Sequence, residues 1–94
     1  MIIVSGHMRV TPGRRGAVLA ASRNVMLAAR STPGCHDFVV AADPIEPDRV
    51  NVYEEWETEA ALTSFRGTDP TQELAGDIVH AEISRHTIAS SGAA

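Results

Sequence analysis

The sequence predicts a small α+β protein, a ferredoxin-like β-α-β-β-α-β sandwich with an antiparallel sheet. Three observations carry that prediction. Four stretches show the alternation of strands, two helical patterns stand between them, and the middle two strands are joined by a connection too short to hold a helix. At 94 residues, with 44% hydrophobic and 21% charged side chains, the chain has the size and composition of one globular domain.

The first strand is IIVSGHMRV, residues 2–10. Ile2, Val4, Gly6, Met8 and Val10 share one face, and Ile3, Ser5, His7 and Arg9 share the other. Thr11-Pro12-Gly13 closes it, because proline cannot continue a ladder and glycine admits a turn. A helix follows over residues 14–31, with Val18, Ala21, Ser22, Val25 and Ala29 as its buried stripe. Thr32-Pro33-Gly34 stops it. CHDFVVAA, residues 35–42, is the second strand, and RVNVYEEWE, residues 49–57, is the third. The proline-punctuated link between them makes a hairpin.

Thr58 is placed to cap a short helix carrying Ala61, Leu62 and Phe65, with Gly67 past its end. Asp69, Pro70 and Gln72 have the pattern of a second helix start, with Leu74 and Ile78 on its buried side. AEISRHTI, residues 81–88, is the last strand. The domain therefore spans residues 1–88, and residues 89–94, with nothing to bury, form a flexible tail. Two short helices cover only one face of such a sheet. The other face, with Ile3, Tyr53 and Phe38 or its neighbours, is expected to be sheltered by a second copy, giving a homodimer through the sheet faces.

Charge and cysteine usage exclude several classes. Residues 1–36 hold five arginines and no acid, whereas residues 37–94 hold all twelve acids and three arginines. The helical arginines lack accompanying aromatics, so no nucleic-acid partner is expected. No apolar run approaches bilayer length and no basic leader precedes the first strand, so no membrane partner and a cytoplasmic location are expected. A single cysteine, Cys35, excludes an intrachain disulfide framework. Four scattered histidines without metal-ligand spacing predict no metal site, and the glycines form no phosphate-binding loop.

The chemistry that remains is a few polar or aromatic side chains in an apolar sheet. Trp56 offers a large ring for stacking on a flat ligand, and its N–H needs a partner when buried. His7, mid-strand where valine or threonine is ordinary, is a candidate to exchange a proton near neutral pH. Glu54 shares a face with Val50, Val52 and Trp56, so it must pair with an arginine, reach the sheet edge or hold a proton. Arg66 or Arg85 are the arginines placed to meet it or to hold a substrate oxyanion. Asn51 and Tyr53, on the face opposite Trp56, are expected at the dimer interface.

MIIVSGHMRVTPG (1–13), STPGCHDFVVAADP (31–44) and RVNVYEEWETEAALTSF (49–65) resemble the antibiotic biosynthesis monooxygenase domain family, in particular its quinol monooxygenase-like members. The resemblance covers residues 1–88 and implies a dimeric α/β barrel with a pocket between sheet and helices. It implies a cofactor-independent monooxygenase that oxidises a small aromatic quinol, phenol or anthrone to a quinone with dioxygen. In that reading no cofactor is used. Trp56 is the ring platform, His7 the proton acceptor, and Arg66 or Arg85 stabilises the anion. Val50, Val52, Glu54, Leu62 and Phe65 contact the substrate. Haem-degrading relatives carry an iron-binding histidine in the helix after the tryptophan. Phe65-Arg66-Gly67 has none there, which argues against haem chemistry. The alternatives are a non-catalytic dimeric module binding a small hydrophobic ligand, and a ferredoxin-like isomerase or decarboxylase. An oxygenase requires a titrating group at the substrate, whereas a passive binder does not.

Overall fold

The computed structural model of the protein describes residues 1–68 and 76–94. The elements run β1 (Ile2–Val10), α1 (Arg15–Arg30), β2 (Cys35–Ala42), β3 (Arg49–Trp56), α2 (Glu59–Arg66) and β4 (Ile78–Thr87). The strands form one antiparallel sheet of order β2-β3-β1-β4. The ferredoxin-like topology is thus as expected.

Alternation decides which face is covered. Ile2, Val4, Met8 and Val10 of β1, Phe38 and Val40 of β2, and Val50, Val52 and Trp56 of β3 are buried under the helices. They pack with Val18, Val25 and Ala29 of α1 and with Leu62 and Phe65 of α2 in a single core. Ser22, in the alanine-rich stripe of α1, is buried because its Oγ–H donates to the Val18 carbonyl at 2.7 Å. The arginines of α1 are less free than a solvated face suggests. Arg15 donates to the carbonyls of Asp43 and Glu46 at 3.1 and 2.9 Å, and Arg30 to that of Phe38 at 2.9 Å. The basic front of the chain thereby clamps the hairpin.

Two glycines permit close approaches. Gly6 has φ +151°, and a Cβ there would lie 2.0 Å from the Glu82 carbonyl oxygen, so only glycine lets β1 and β4 pair at this point. Gly34, at φ +87°, lies where a Cβ would meet the Ala61 Cβ at 2.7 Å, which lets the turn before β2 sit against α2.

The expected dimeric α/β barrel is corrected. The single chain forms an open sheet with β2 and β4 as its two edges, and four strands are too few to wrap into a closed barrel, since a side-chain-filled one takes about eight. β4 begins at Ile78 rather than residue 81, so Ile78 belongs to a strand. The cause is β1, whose Val10 pairs with Ile78 and whose next residue, Thr11, donates its N–H to the Asp77 carbonyl at 2.9 Å. The helix start at Asp69, Pro70 and Gln72, and the buried role of Leu74, lie outside the described residues.

Candidate functional site

Strand register sorts the candidate residues into two groups. Antiparallel neighbours share a face, so the rows Phe38–Glu54–Val4–Arg85 and Val40–Val52–Gly6–Ile83 run across the helix-covered side. Trp56, Val50, Val52, Glu54 and Arg85 belong to this side, and α2 brings Leu62, Phe65 and Arg66 to it. His7 pairs with Asn51 on one flank and Glu82 on the other, on the opposite, open face. Asn51 and Tyr53 are also there, as the alternation predicts. Sequence reasoning grouped His7 with Trp56 and the two arginines; the register puts the last three on one side of the sheet and His7 on the other.

Trp56 is 0% exposed. Its ring lies 5.3 Å from that of Phe65 at a 34° tilt and 6.5 Å from that of Phe38, nearly edge-on. Phe38 and Phe65 complete the triangle at 5.8 Å. Such tilted and edge-on pairs contribute about 0.5–1.5 kcal/mol each beyond the area they bury. The indole N–H finds its partner two residues back along the strand, where Nε1 donates to Glu54 Oε1 at 3.0 Å. Residues i and i+2 of a strand point the same way, so this contact was available in the alternation of Tyr53-Glu54-Glu55-Trp56.

Glu54 is 8% exposed. Burial pushes its carboxyl above the ordinary carboxylate range, while the Trp56 N–H and the nearby Arg66 guanidinium pull it back down. Arg66, exposed in the last turn of α2, supplies that field. Arg85 forms an ion pair with Glu59 of the first turn of α2, tying β4 to that helix at the exposed rim. Beside Arg85 on the same face, Ile83 stays 38% exposed next to the bare backbone of Gly6. The arrangement is therefore an aromatic core holding one buried carboxyl, with two arginines at its margin and an apolar shelf on β4. Its carboxyl can accept a hydrogen bond or a proton, and the arginines can offset a developing negative charge.

The open face is polar around His7. Its Nε2 lies 3.6 Å from Glu82 Oε2, and His80 reaches the other Glu82 oxygen at 3.3 Å. Asn51 Nδ2 donates to Asp43 at 2.9 Å and its Oδ1 accepts from Arg49 at 2.8 Å, so Asn51 is engaged within the chain. Tyr53, 37% exposed, donates to Glu55 at 3.4 Å. Cys35 is half-buried against the core, and burial, with Glu54 and Asp37 nearby, pushes its thiol upward. No group of three His, Cys, Asp or Glu side chains that could hold a metal ion occurs among the described residues.

The fold is a ferredoxin-like two-layer sandwich, and comparison with known proteins gives its family. Residues 1–76 match the family model for antibiotic biosynthesis monooxygenase, so this chain belongs to that family. A Chloroflexus aurantiacus structure named for the same family is 28% identical, has a TM-score of 0.80 and covers 98% of this chain and 96% of its own. A Deinococcus radiodurans structure named likewise superposes with a TM-score of 0.88 over 100% of this chain and 98% of its own, and at 16% identity it speaks for the fold alone. An uncharacterized protein of Synechocystis sp. is 31% identical over 61 residues, 65% of this chain. This chain spans 42% of that relative's length.

Proposed function

We propose that the protein is a cofactor-independent monooxygenase that oxidises a small aromatic quinol, phenol or anthrone to a quinone with dioxygen, on the helix-covered side of its sheet. One observation carries the reading beyond family membership. The buried Glu54–Trp56 pair, set in the Phe38–Phe65 cluster, lies on the same side as Arg66 and Arg85. Electron-rich aromatics need little more than this from a protein: a dry aromatic surface, one polar anchor and a cation near the oxygen that becomes negative. Val50, Val52, Leu62 and Phe65 supply the apolar contacts.

A phenol with a free para position would react in balanced steps. The hydroxyl loses its proton, and the anion passes one electron to dioxygen. The resulting radical and superoxide join at the ring carbon as a peroxide. Protonated, this loses water together with the hydrogen of that carbon and leaves a quinone. One oxygen atom enters the product and the other becomes water. Within this reading, a second copy of the chain docks on the open face around Ile3, Val39 and Tyr53.

A second reading, a non-catalytic module for a small hydrophobic ligand, has one observation in its favour: Trp56 is wholly covered by its neighbours. Oxygen uptake by metal-free protein with a panel of quinols, phenols and anthrones separates the two. The oxygenase consumes oxygen in proportion to quinone formed, and Arg66→Ala and Arg85→Ala each lower kcat/KM by about tenfold or more. A protein that binds these compounds without consuming oxygen is the module.

A further inference from the structure

The oxygenation begins with loss of a hydroxyl proton, and His7 lies on the far side of the sheet from Trp56. The geometry points to Glu54 as the group that accepts this proton, an inference that rests on the helix-covered side being the site for electron-rich aromatics. Three features support it.

Glu54 is the one acid on an otherwise apolar strand face, between Val52 and Trp56. It forms no ion pair within 4.0 Å among the described residues, and its one side-chain hydrogen bond there is the N–H of Trp56 on Oε1. Its other oxygen, Oε2, has no hydrogen-bond partner among the described residues. Glu54 keeps 8% of its surface exposed. One oxygen is thus held in place, and the other has no partner among the described residues. The surroundings are consistent with that role. Arg66 faces Glu54 from α2, Cys35 from β2, and the Arg85–Glu59 pair spans β4 and α2 at the rim, while Arg30 of α1 is committed to the Phe38 carbonyl. Burial lifts the basicity of the carboxylate toward working pH, where a general base is most effective.

In the step itself the phenolic O–H breaks and its proton moves to Oε2. The electron pair stays on the phenolate oxygen, within the field of Arg66. Oε1 keeps the Trp56 N–H throughout, so the carboxyl does not swing. The proton returns to the peroxide formed from dioxygen and leaves in the product water.

The test combines Glu54→Gln, Glu54→Asp and Trp56→Phe, each checked for an unchanged fold by circular dichroism. Oxygen uptake against pH is measured with the quinol panel, and binding of 4-nitrophenol, a phenol that does not react with oxygen, is followed by its phenolate absorbance. Glu54→Gln is expected to lower kcat/KM by about 10²–10⁴-fold and to abolish the acid limb of its pH profile. Glu54→Asp restores part of the rate. Trp56→Phe moves the acid limb to higher pH, because it removes a hydrogen bond that favours the carboxylate. A Glu54→Gln rate within about threefold of wild type, or an acid limb that persists in it, overturns the inference and leaves the oxygenase reading standing. If the wild type consumes no oxygen with any compound, the oxygenase reading fails, and 4-nitrophenol decides on Glu54. Bound phenolate that depends on Glu54 supports it. No bound phenolate in the wild type, or as much in Glu54→Gln, overturns it.

Discussion

The titration of Glu54 makes stability depend on pH. Its carboxyl is raised above the ordinary range in the folded chain, so the folded state prefers it neutral. The charged form therefore costs stability as pH rises from the unfolded carboxylate value through the folded one, and the cost is absent below both. Glu54→Gln, which keeps an acceptor for the Trp56 N–H, is expected to raise the melting temperature at pH 7–8 and to leave it unchanged near pH 4. Thermal melts of both proteins across that range check this, and an equal shift at every pH contradicts it. Trp56→Ala, by contrast, empties the centre of the aromatic cluster and is expected to cost about 3–5 kcal/mol in urea unfolding. Strand parity alone puts Glu54 beside Trp56 and His7 on the other face. Parity does not reveal that the tryptophan itself holds the carboxyl, because arginines are the usual partners of a buried acid. His7 was grouped with Trp56 on the chemistry of its side chain, against that same parity.

At the scale of elements, the caps and glycines decide how α2 and β4 sit against the rest. Thr58 accepts the Ala61 N–H at 3.2 Å in extended geometry at the start of α2. Thr58→Ala is expected to cost about 1 kcal/mol, measured by urea unfolding, and to loosen Phe65 and Arg66 with the helix. Gly6→Ala forces a methyl into the Glu82 carbonyl. It is expected to cost about 1–3 kcal/mol and to speed amide exchange along β4 first. An exchange pattern that rises evenly over the sheet contradicts that assignment. The first five elements were legible because each ends on a proline, a glycine or a cap within three residues of its observed boundary. β4 was less so, since Ile78 and Val79 carry no signal separating a helix end from a strand start. Pairing with Val10 makes that choice, and it is a long-range contact that local pattern cannot register. The two-versus-one step at Cys35–Asp37 against Trp56–Glu55 was likewise invisible.

For the whole molecule, a two-layer sandwich leaves one face of the sheet uncovered among the described residues and its hairpin end held by charge. Arg9 pairs with Glu46 at 2.9 Å and Asp48 at 3.3 Å, and Asp43 accepts from Asn51 and from the Glu46 backbone N–H. These bonds, Asn51 first, lower the Asp43 carboxyl from 3.8 to about 2. Its contribution is present above the ordinary value and is lost as pH falls from 3.8 through about 2. Asn51→Ala is therefore expected to shift acid unfolding to higher pH, as followed by circular dichroism. The proposed self-association on the open face is tested by sedimentation, where Tyr53→Asp is expected to weaken it by about tenfold or more. The open sheet itself was readable from element order, whereas closure into a barrel was an inference from resemblance that a single four-stranded sheet does not meet. The proposed activity is tested most directly with ¹⁸O-labelled dioxygen and mass spectrometry of the quinone formed from an anthrone or a para-unsubstituted phenol. One labelled oxygen is expected in each product molecule and the other in water. A product without label, or label accumulating as hydrogen peroxide, contradicts the proposed chemistry.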